Sequence, residues 1–474
     1  MKPTEEQLSI VAYIQGTQGN VLVNALAGTG KTSTLQLIED SAKEDPLIYL
    51  AFNKANAAEA RDKFTRSTTV AKTFNSLGDG IWRHTTGRHS LDPKKTQVIF
   101  NELLKEFPSK DAKDIREVYW DIIQGVGLAK SLGYVPDRKF PQARRLIDRG
   151  AFHAALETKP SPLTADLIDS ILFQSIKLAY EGTIDFNDQI YMPALFGGTF
   201  PRFPLVLVDE AQDLSPANHA MLDKLCRGRI CAVGDRWQSI YGFRGAKTDG
   251  VEHIKRTFAC EEKALTISFR CPKAIVEAAR WRVPKFRWLK EGGHYEALSE
   301  LRHDQIPDGA AIVCRNNAPL YRVALSLLTS RRSVQVAGSE VGPKIIRLLQ
   351  KIGADGDTTD DLLIKIEGWR LDKLQDSQAP AIINDQAECM KVFATFGKTL
   401  AEAIAYAKHL FAQQGTIQLI TGHKAKGMEW DTVYHLDPWL IGKDDQELNL
   451  RYVITTRAKE RLYEINSGGI HNGH

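Results

Sequence analysis

Cysteine is scarce in this chain and carries no pattern. Cys226, Cys231, Cys260, Cys271, Cys314 and Cys389 form no Cys-x-x-Cys pair. Cys226 and Cys231 lie close together, but no histidine or second cysteine pair stands at zinc spacing from them, which argues against a structural zinc site. They read as buried free thiols, the state a reducing compartment maintains. Long apolar runs are also missing. No segment is long enough to span a bilayer, and Met1-Lys2-Pro3-Thr4-Glu5-Glu6 lacks the apolar core of a secretory signal. These absences lead us to expect an intracellular, cytoplasmic, soluble protein with no membrane partner. A dominant charge is absent as well. The net charge is +4 over 474 residues, so any contact with nucleic acid must come from local grooves rather than an overall basic field. There is no internal repeat and no low-complexity segment.

What remains is an ordinary globular composition, 43% apolar and 25% charged. The length suits about three domains. The organising stretch is residues 21–32, Val-Leu-Val-Asn-Ala-Leu-Ala-Gly-Thr-Gly-Lys-Thr. An apolar run, Val21 to Val23, ends in a small-residue loop, and Thr32 opens a helical pattern with Leu35 and Ile38 on one face. Strand, loop and helix in that order present backbone N–H groups and a helix N-terminus to phosphate oxygens. Lys31 can reach the β- and γ-phosphates, and the Thr32 hydroxyl suits a Mg²⁺ ligand. The strict P-loop pattern wants glycine where this chain has Ala25, although Gly28 and Gly30 keep the tight turns.

Thr4-Glu5-Glu6-Gln7 before Leu8, Ile10 and Val11 reads as a capped helix start. Buried strands are expected at 47–52 and near 68–73, separated by a helix at 54–64. Alternation of this kind implies a parallel sheet with helices on both faces. From about Trp82 to Glu181 the pattern turns helical. There Arg138, Lys139, Arg144, Arg145 and Arg149 form a basic cluster that a solvated face and a phosphate-contacting face explain equally well. Strand signals resume afterwards. In Ile184-Asp185-Phe186-Asn187-Asp188, Asp185 is expected to cap a helix whose first turn holds Asp188. Residues 203–208 form a strand ending in Asp209-Glu210-Ala211-Gln212-Asp213, and 230–233 another ending in Gly234-Asp235. Past about Phe258 a second α/β pattern begins, with strands near 264–267, 310–314 and 333–337. Residues 342–413 are mostly helical. Strands return at 416–420, 432–436 and 461–465.

A buried strand that delivers Asp209 and Glu210 at its carboxyl end is what a Mg²⁺-dependent ATPase needs. Asp209 can hold the metal through water while Glu210 polarises the attacking water. Asp209-Glu210-Ala211-Gln212-Asp213, with Val233-Gly234-Asp235-Arg236-Trp237-Gln238-Ser239-Ile240-Tyr241-Gly242-Phe243-Arg244-Gly245-Ala246, resembles the UvrD/Rep family of superfamily-one DNA helicases. The rest of that family's set follows in order. Thr4 to Gln7 resembles the adenine-reading Q motif, and Leu50 to Lys54 motif Ia. Thr266-Ile267-Ser268-Phe269-Arg270 resembles motif IV. Thr421-Gly422-His423-Lys424-Ala425-Lys426-Gly427-Met428-Glu429-Trp430 resembles motif V, and Tyr452-Val453-Ile454-Thr455-Thr456-Arg457-Ala458 motif VI. Arg236 and Trp237 depart from it, standing where the family has acidic or small polar residues.

The resemblance implies an α/β fold of two RecA-like parallel-sheet cores, each with a helical insertion. The first core would be 1–82 with 183–262, interrupted by 83–182. The second would be 263–341 with 414–474, interrupted by a reduced insertion at 342–413. ATP and Mg²⁺ are the implied cofactors. Ala27, Gly28, Thr29, Gly30, Lys31, Thr32 and Ser33 would cradle the phosphates, with Thr32 and Asp209 on the metal. Gln7 would read the adenine edge and Phe269 stack on its ring, with Glu429 approaching from the second core. Glu210 is the implied base, Gln238 the γ-phosphate sensor, and Arg270 and Arg457 the arginine fingers. Phe52, Tyr241, Phe243 and His423 would line a single-stranded-DNA channel, since stacking lets a motor ignore sequence. The implied activity is an ATP-driven translocase and DNA helicase moving 3′ to 5′. Its partners would be single-stranded DNA, single/double-strand junctions, and a nuclease or repair protein. A small-molecule P-loop kinase or GTPase fits less well: Asn53-Lys54-Ala55-Asn56 lacks the closing acid of a guanine-reading motif. A non-motor scaffold on the same fold would tend to lose Lys31, Asp209, Glu210, Gln238, Arg270 and Arg457, and all are present.

Overall fold

The structure, a computed structural model, describes residues 2–136, 140–240, 242, 250–337, 341–375 and 377–471. The chain divides into two units. One is Met1–Leu26 with Gly30–Leu265, the other Ala27–Thr29 with Thr266–His474.

The first unit holds β1 (Val21–Ala25), β2 (Leu47–Ala51), β3 (Val70–Thr73), the short pair β4 (Ser90–Leu91) and β5 (Thr183–Ile184), β6 (Phe203–Val208), β7 (Cys226–Gly234) and β8 (Glu261–Leu265). Six of these form one sheet in the order β3-β2-β6-β7-β1-β8, every pairing parallel. Alternate residues of the same strands enter two separate clusters. Leu22, Ile48, Leu50, Val206, Val208 and Ile230 lie in one, and Val21, Val23, Leu47, Tyr49, Leu205, Leu207 and Val233 in the other. A parallel strand covered by helices on both faces must be apolar on both, which is why these runs do not alternate with polar residues.

The helices Lys95–Leu104, Ser109–Glu117, Tyr119–Leu132, Arg149–Ala154 and Pro162–Tyr180 lie between β4 and β5. Phe100, Ile122, Val126, Ile168 and Leu172 share the first of those clusters with the sheet. A buried polar knot fastens them further. Lys95 Nζ is 2.7 Å from Asp188, and Lys130 Nζ lies 2.6 Å from Asp185 and 2.7 Å from Asp188. The Ser175 carbonyl and hydroxyl accept from Lys95 and Lys130. Asp185 accepts from the Asp188 N–H at 2.8 Å and Asp188 returns the bond at 2.9 Å, but the helix Asp188–Phe196 has Asn187 as its N-cap, so Asp185 braces the turn before the helix rather than capping it as expected. In the basic cluster, Arg144 meets Asp223, and Arg149 meets Asp166 and Asp169, so those two follow the solvated reading. Arg138 and Lys139 lie outside the described residues.

The strand expected near 264–267 to open the second core is two strands. β8 pairs with β1 and closes the first sheet, and β9 (Ile267–Ser268) belongs to the second unit. The first sheet therefore runs to Leu265 rather than stopping at 262. Glu261, Glu262 and Lys263 hide that membership, because charged side chains belong on an exposed edge rather than in a core.

The second unit continues with β10 (Arg287–Trp288), β11 (His294–Leu298), β12 (Leu301–Arg302), β13 (Ala311–Cys314), β14 (Val334–Val336), β15 (Ile417–Thr421), β16 (Trp430–Leu436), β17 (Ala458–Ile465) and β18 (Ile470–His471). Its main sheet runs β11-β17-β16-β13-β15-β14, again all parallel. The expected α/β fold of two parallel sheets is therefore present. The helices Val341–Ile352, Thr359–Gln375, Pro380–Phe396 and Leu400–Phe411 follow β14. Ile345, Leu349, Ile366, Phe393 and Leu410 join Leu320, Tyr321, Ile417 and Leu419 of this unit in one cluster. They extend the core of the sheet rather than forming one of their own. All six cysteines are free, and only Cys226 is not buried.

Candidate nucleotide site

In an open parallel sheet, ligands collect beyond the carboxyl ends of the strands. In the first unit β1, β2, β6 and β7 end at residues 25, 51, 208 and 234, and the chemistry-bearing side chains follow them directly. The helix Lys31–Ser41 starts from Gly30, which adopts φ 78°, ψ 41° as its N-cap. That left-handed conformation is cheap only for glycine. Ala25 replaces the loop's usual first glycine because it is the fully buried last residue of β1 and packs in the core.

Lys31 Nζ meets Glu210 Oε2 at 2.6 Å. Gln212 Nε2 donates to the same oxygen at 2.6 Å, and its Oε1 accepts from the Asp235 N–H at 2.9 Å. Gln238 Nε2 donates to Asp235 Oδ2 at 2.8 Å. Tyr49 OH donates to Asp209 Oδ2 at 2.8 Å, and Asn56 Nδ2 reaches that oxygen at 3.4 Å. Glu210 sits at φ 50°, ψ 44°, a left-handed conformation that costs a non-glycine residue about 1–2 kcal/mol. The turn thus accepts strain while holding Glu210 against Lys31.

Burial dominates the electrostatics. It pushes the Asp209 carboxyl up to about 6, helped by the charge of Glu210 and opposed by Lys31 and the Tyr49 hydroxyl. Burial likewise lifts Asp235 to about 6, against Lys31 and the Gln238 amide. For Lys31 burial acts downward, yet Glu210, Asp209 and Asp235 outweigh it and raise the ammonium pKa. Three carboxylates thus act on Lys31 at once, a concentration of negative charge that suits a hard divalent cation. Among the described residues no group of three or more His, Cys, Asp or Glu is arranged to hold a metal by itself. Magnesium keeps much of its shell as water and phosphate oxygen, so Asp209 and the Thr32 hydroxyl would be enough protein ligands to hold it.

Gln7 is buried. Its side chain closes a capping box with Thr4 and donates to Thr34 Oγ1 at 3.0 Å. Ser33 is exposed on the first turn of its helix. Arg236, one of the departures from the family pattern, bridges Glu252 at 3.1 Å and Glu262 at 3.0 Å, tying the edge strand β8 to the helix Gly250–Thr257. Phe52 follows β2 and is 43% exposed. Tyr241 and Phe243 lie outside the described residues.

The second unit includes the loop residues Ala27–Thr29. The Phe269 N–H donates to Gly28 O at 2.8 Å, Ser268 Oγ to Ala27 O at 3.0 Å, and the Ala27 N–H to Tyr452 OH at 3.0 Å. Gly28 has φ 68°, and a Cβ there would stand 2.5 Å from Arg270 Cβ, so only glycine fits. Arg270 Nε pairs with Glu429 at 2.5 Å. Arg457 is 1% exposed, and its fork donates to Val453 O at 2.9 Å, Met428 O at 3.1 Å and Thr456 Oγ1 at 3.2 Å. His423 is half-buried in the helix Gly422–Ala425. Tyr49, Asn56, Gln212 and Tyr452 were not singled out from the sequence, although a tyrosine inside the apolar run Leu-Ile-Tyr-Leu-Ala is a visible signal.

Fold and site define a P-loop nucleotide-binding protein with two parallel α/β sheets. The UvrD/REP helicase N-terminal domain matches residues 4–259, more than half of the chain, and the UvrD-like helicase C-terminal domain matches residues 416–463. The chain belongs to the UvrD/REP helicase family. It is similar to F-box DNA helicase protein 1 of Schizosaccharomyces pombe, with 24% identity over 97% of this chain and 57% of the relative. It is likewise similar to F-box DNA helicase 1 of Gallus gallus, with 25% identity over 98% of this chain and 49% of that protein. ATP-dependent DNA helicase PcrA of Leuconostoc citreum is 24% identical over 62% of this chain and 42% of its own length. The chain spans about half the length of the curated relatives it matches. Among the described residues no helix is long and apolar enough to cross a membrane.

Proposed function

We propose that this chain is an ATP-driven single-stranded-DNA translocase with DNA helicase activity, moving 3′ to 5′. The observation that carries the reading is the Lys31–Glu210 pair at 2.6 Å beside buried Asp209. It brings together, from beyond the ends of β1 and β6, a lysine suited to phosphate, a carboxylate suited to a base and a carboxylate suited to a metal. The names of the relatives, DNA helicases and ATP-dependent DNA helicases, agree with it.

In this reading residues 27–33 cradle the phosphates through backbone N–H groups, and Lys31 leaves Glu210 for the β- and γ-phosphates. Mg²⁺, held by Thr32 and through water by Asp209, would neutralise charge developing on the phosphate oxygens. Glu210, released from Lys31, takes a proton from the attacking water. Gln238, held by Asp235, senses the γ-phosphate. Gln7 turns its amide toward the adenine edge, Phe269 stacks on the ring and Glu429 approaches the nucleotide. Arg270 and Arg457 supply positive charge to the transition state, so hydrolysis follows closure of two RecA-like cores. Phe52, Tyr241, Phe243 and His423 hold successive bases of one strand, and each closure moves that strand.

Two measurements test the proposal. ATP hydrolysis should rise with added single-stranded DNA and require Mg²⁺. Duplexes with a 3′ single-stranded tail should be separated in an ATP-dependent way, and those with a 5′ tail should not. Turnover indifferent to DNA would return the chain to the small-molecule P-loop class. Displacement from 5′ tails alone would reverse the polarity.

A further inference from the structure

The net charge of the whole chain is +4, but residues 273–290 concentrate more than that. Lys273, Arg280, Arg282, Lys285, Arg287 and Lys290 stand against Glu277 alone, a net of +5 in eighteen residues, which leaves the other 456 at −1. The segment lies wholly within the second unit. Its backbone is tied down at both ends. The Arg287 N–H donates to Thr266 O and the Leu289 N–H to Ser268 O, while the Lys273 N–H donates to Lys290 O. Val283 and Phe286 are buried beneath it, so the basic side chains ride on an anchored platform.

We infer that this platform is a docking surface for the phosphate backbone of double-stranded DNA, separate from the motifs that address a single strand. Lys285, Arg287 and Lys290 are exposed. Among the described residues neither Lys285 nor Lys290 has an acidic partner, whereas Arg282 is engaged by Asp445 and Asn449. The two tryptophans decide between single and double strands. The Arg280 guanidinium lies 4.8 Å from the Trp288 ring centroid, with Lys273 Nζ at 5.5 Å, and Trp288 Nε1 donates to Glu291. Trp281 carries Arg451 at 5.2 Å. Rings already engaged by cations offer poor platforms for unstacked bases, but they fix positive charge at the surface. A surface that offers charge without open stacking faces suits a duplex, whose bases are paired and whose phosphates have the higher linear density.

The inference rests on the reading that the chain works on DNA, and binding measurements separate the two. Lys285→Glu/Arg287→Glu/Lys290→Glu in the full chain is compared with the parent on a blunt duplex and on a single-stranded oligonucleotide over a range of salt. Duplex affinity should fall about tenfold or more at low salt, and the slope of log K against log salt should shrink by about 2.7, near 0.9 for each lost phosphate contact. Single-strand affinity and ATP hydrolysis at saturating single-stranded DNA should stay within about twofold. Unchanged duplex affinity and slope would overturn the inference, and equal losses on both DNAs would overturn the duplex assignment. Because Arg287 also donates to Thr266, a triple variant that melts early hands the test to Lys285→Glu/Lys290→Glu, judged by the same criteria with a slope change of about 1.8. A parent without DNA-stimulated hydrolysis would sink the proposed function and leave this comparison of affinities standing.

Discussion

The two parallel sheets present their functional side chains in opposite states of charge balance. In the first unit Asp209, Glu210 and Asp235 crowd around one lysine, and two of them sit at about 6 because burial opposes their ionisation. In the second unit Arg270 is matched by Glu429 at 2.5 Å, and Arg457 is solvated by carbonyl and hydroxyl oxygens. The first arrangement stores negative charge that a metal can discharge. The second pairs one guanidinium with a carboxylate and orders the other on backbone and hydroxyl oxygens.

The sharpest way to break this comparison is at the first unit's pair. Lys31→Ala and Glu210→Gln should each lower DNA-stimulated ATP turnover by about 10³-fold or more, since one removes the proposed phosphate cation and the other the proposed base. Glu210→Gln should still bind ATP, because the loop and Lys31 remain. Near-parent hydrolysis by Glu210→Gln would take that residue out of the base role.

The second unit should answer less strongly. Arg457→Ala and Arg270→Ala are each expected to cut hydrolysis by about 10²–10³-fold with little change in ATP binding. They should differ in stability. Arg457 fills a buried site with three donors in use, so its loss should cost about 3 kcal/mol, while Arg270 is partly exposed and should cost under about 1 kcal/mol. Arg457→Lys should fail to restore turnover, since one ammonium cannot reproduce a three-way fork. Parallel melting curves and single-turnover hydrolysis would check this. Full turnover in either alanine variant would show that the second sheet supplies no catalytic charge.

The stored charge of the first unit makes a pH prediction. The Asp209 carboxyl is raised in the folded chain from 3.8 to about 6, so between those values the folded state binds more protons than the unfolded. Stability must then fall as pH rises through that window. Asp209→Asn removes the titration. Without ATP or metal it should match the parent near pH 4 and exceed it by on the order of 2–3 kcal/mol at pH 7. Urea denaturation at the two pH values measures the difference. A variant equally shifted at both would mean that Asp209 carries no such cost.

The asymmetry was only partly legible in the sequence. Residues 203–208 announce a strand because an apolar run ends abruptly in Asp209 and Glu210. The loop before Lys31 announces itself through Gly28 and Gly30. The surplus of carboxylates was not visible, because Asp235 joins it from the end of a different strand and acquires its raised pKa only by burial. β8 was misplaced because its charges fit an edge strand of the first sheet as readily as the start of a new core. His294 to Leu298 carried no strand signal, since that edge strand is exposed along most of its length. The place of Asp188 in the first turn of its helix was readable from local spacing, while the cap fell on Asn187 rather than Asp185. The ion partners of the two aspartates, Lys95 and Lys130, were not readable, since those pairs connect residues more than fifty positions apart.

The smallest expected effect concerns the proposed strand-contact residues, where the two units again differ. Phe52 follows β2 with 43% of its surface exposed, whereas His423 is half-buried within a short helix. A single exposed phenylalanine is unremarkable by itself. Beyond the carboxyl end of a central strand, however, it presents a ring where a base could stack. Truncating a ring that is already largely in water removes little packing, so Phe52→Ala should change folding stability by less than about 1 kcal/mol. Its affinity for single-stranded DNA should weaken by about 1 kcal/mol, the low end for losing one stacking platform. DNA-independent ATP hydrolysis should be unaffected, because in the proposed function phosphates and metal are left to Lys31, Thr32 and Asp209. His423→Ala should instead lose stability and affinity together, since its ring is partly packed. Phe52→Ala with unaltered affinity, measured by fluorescence anisotropy beside its melting curve, would remove that ring from the proposed DNA path.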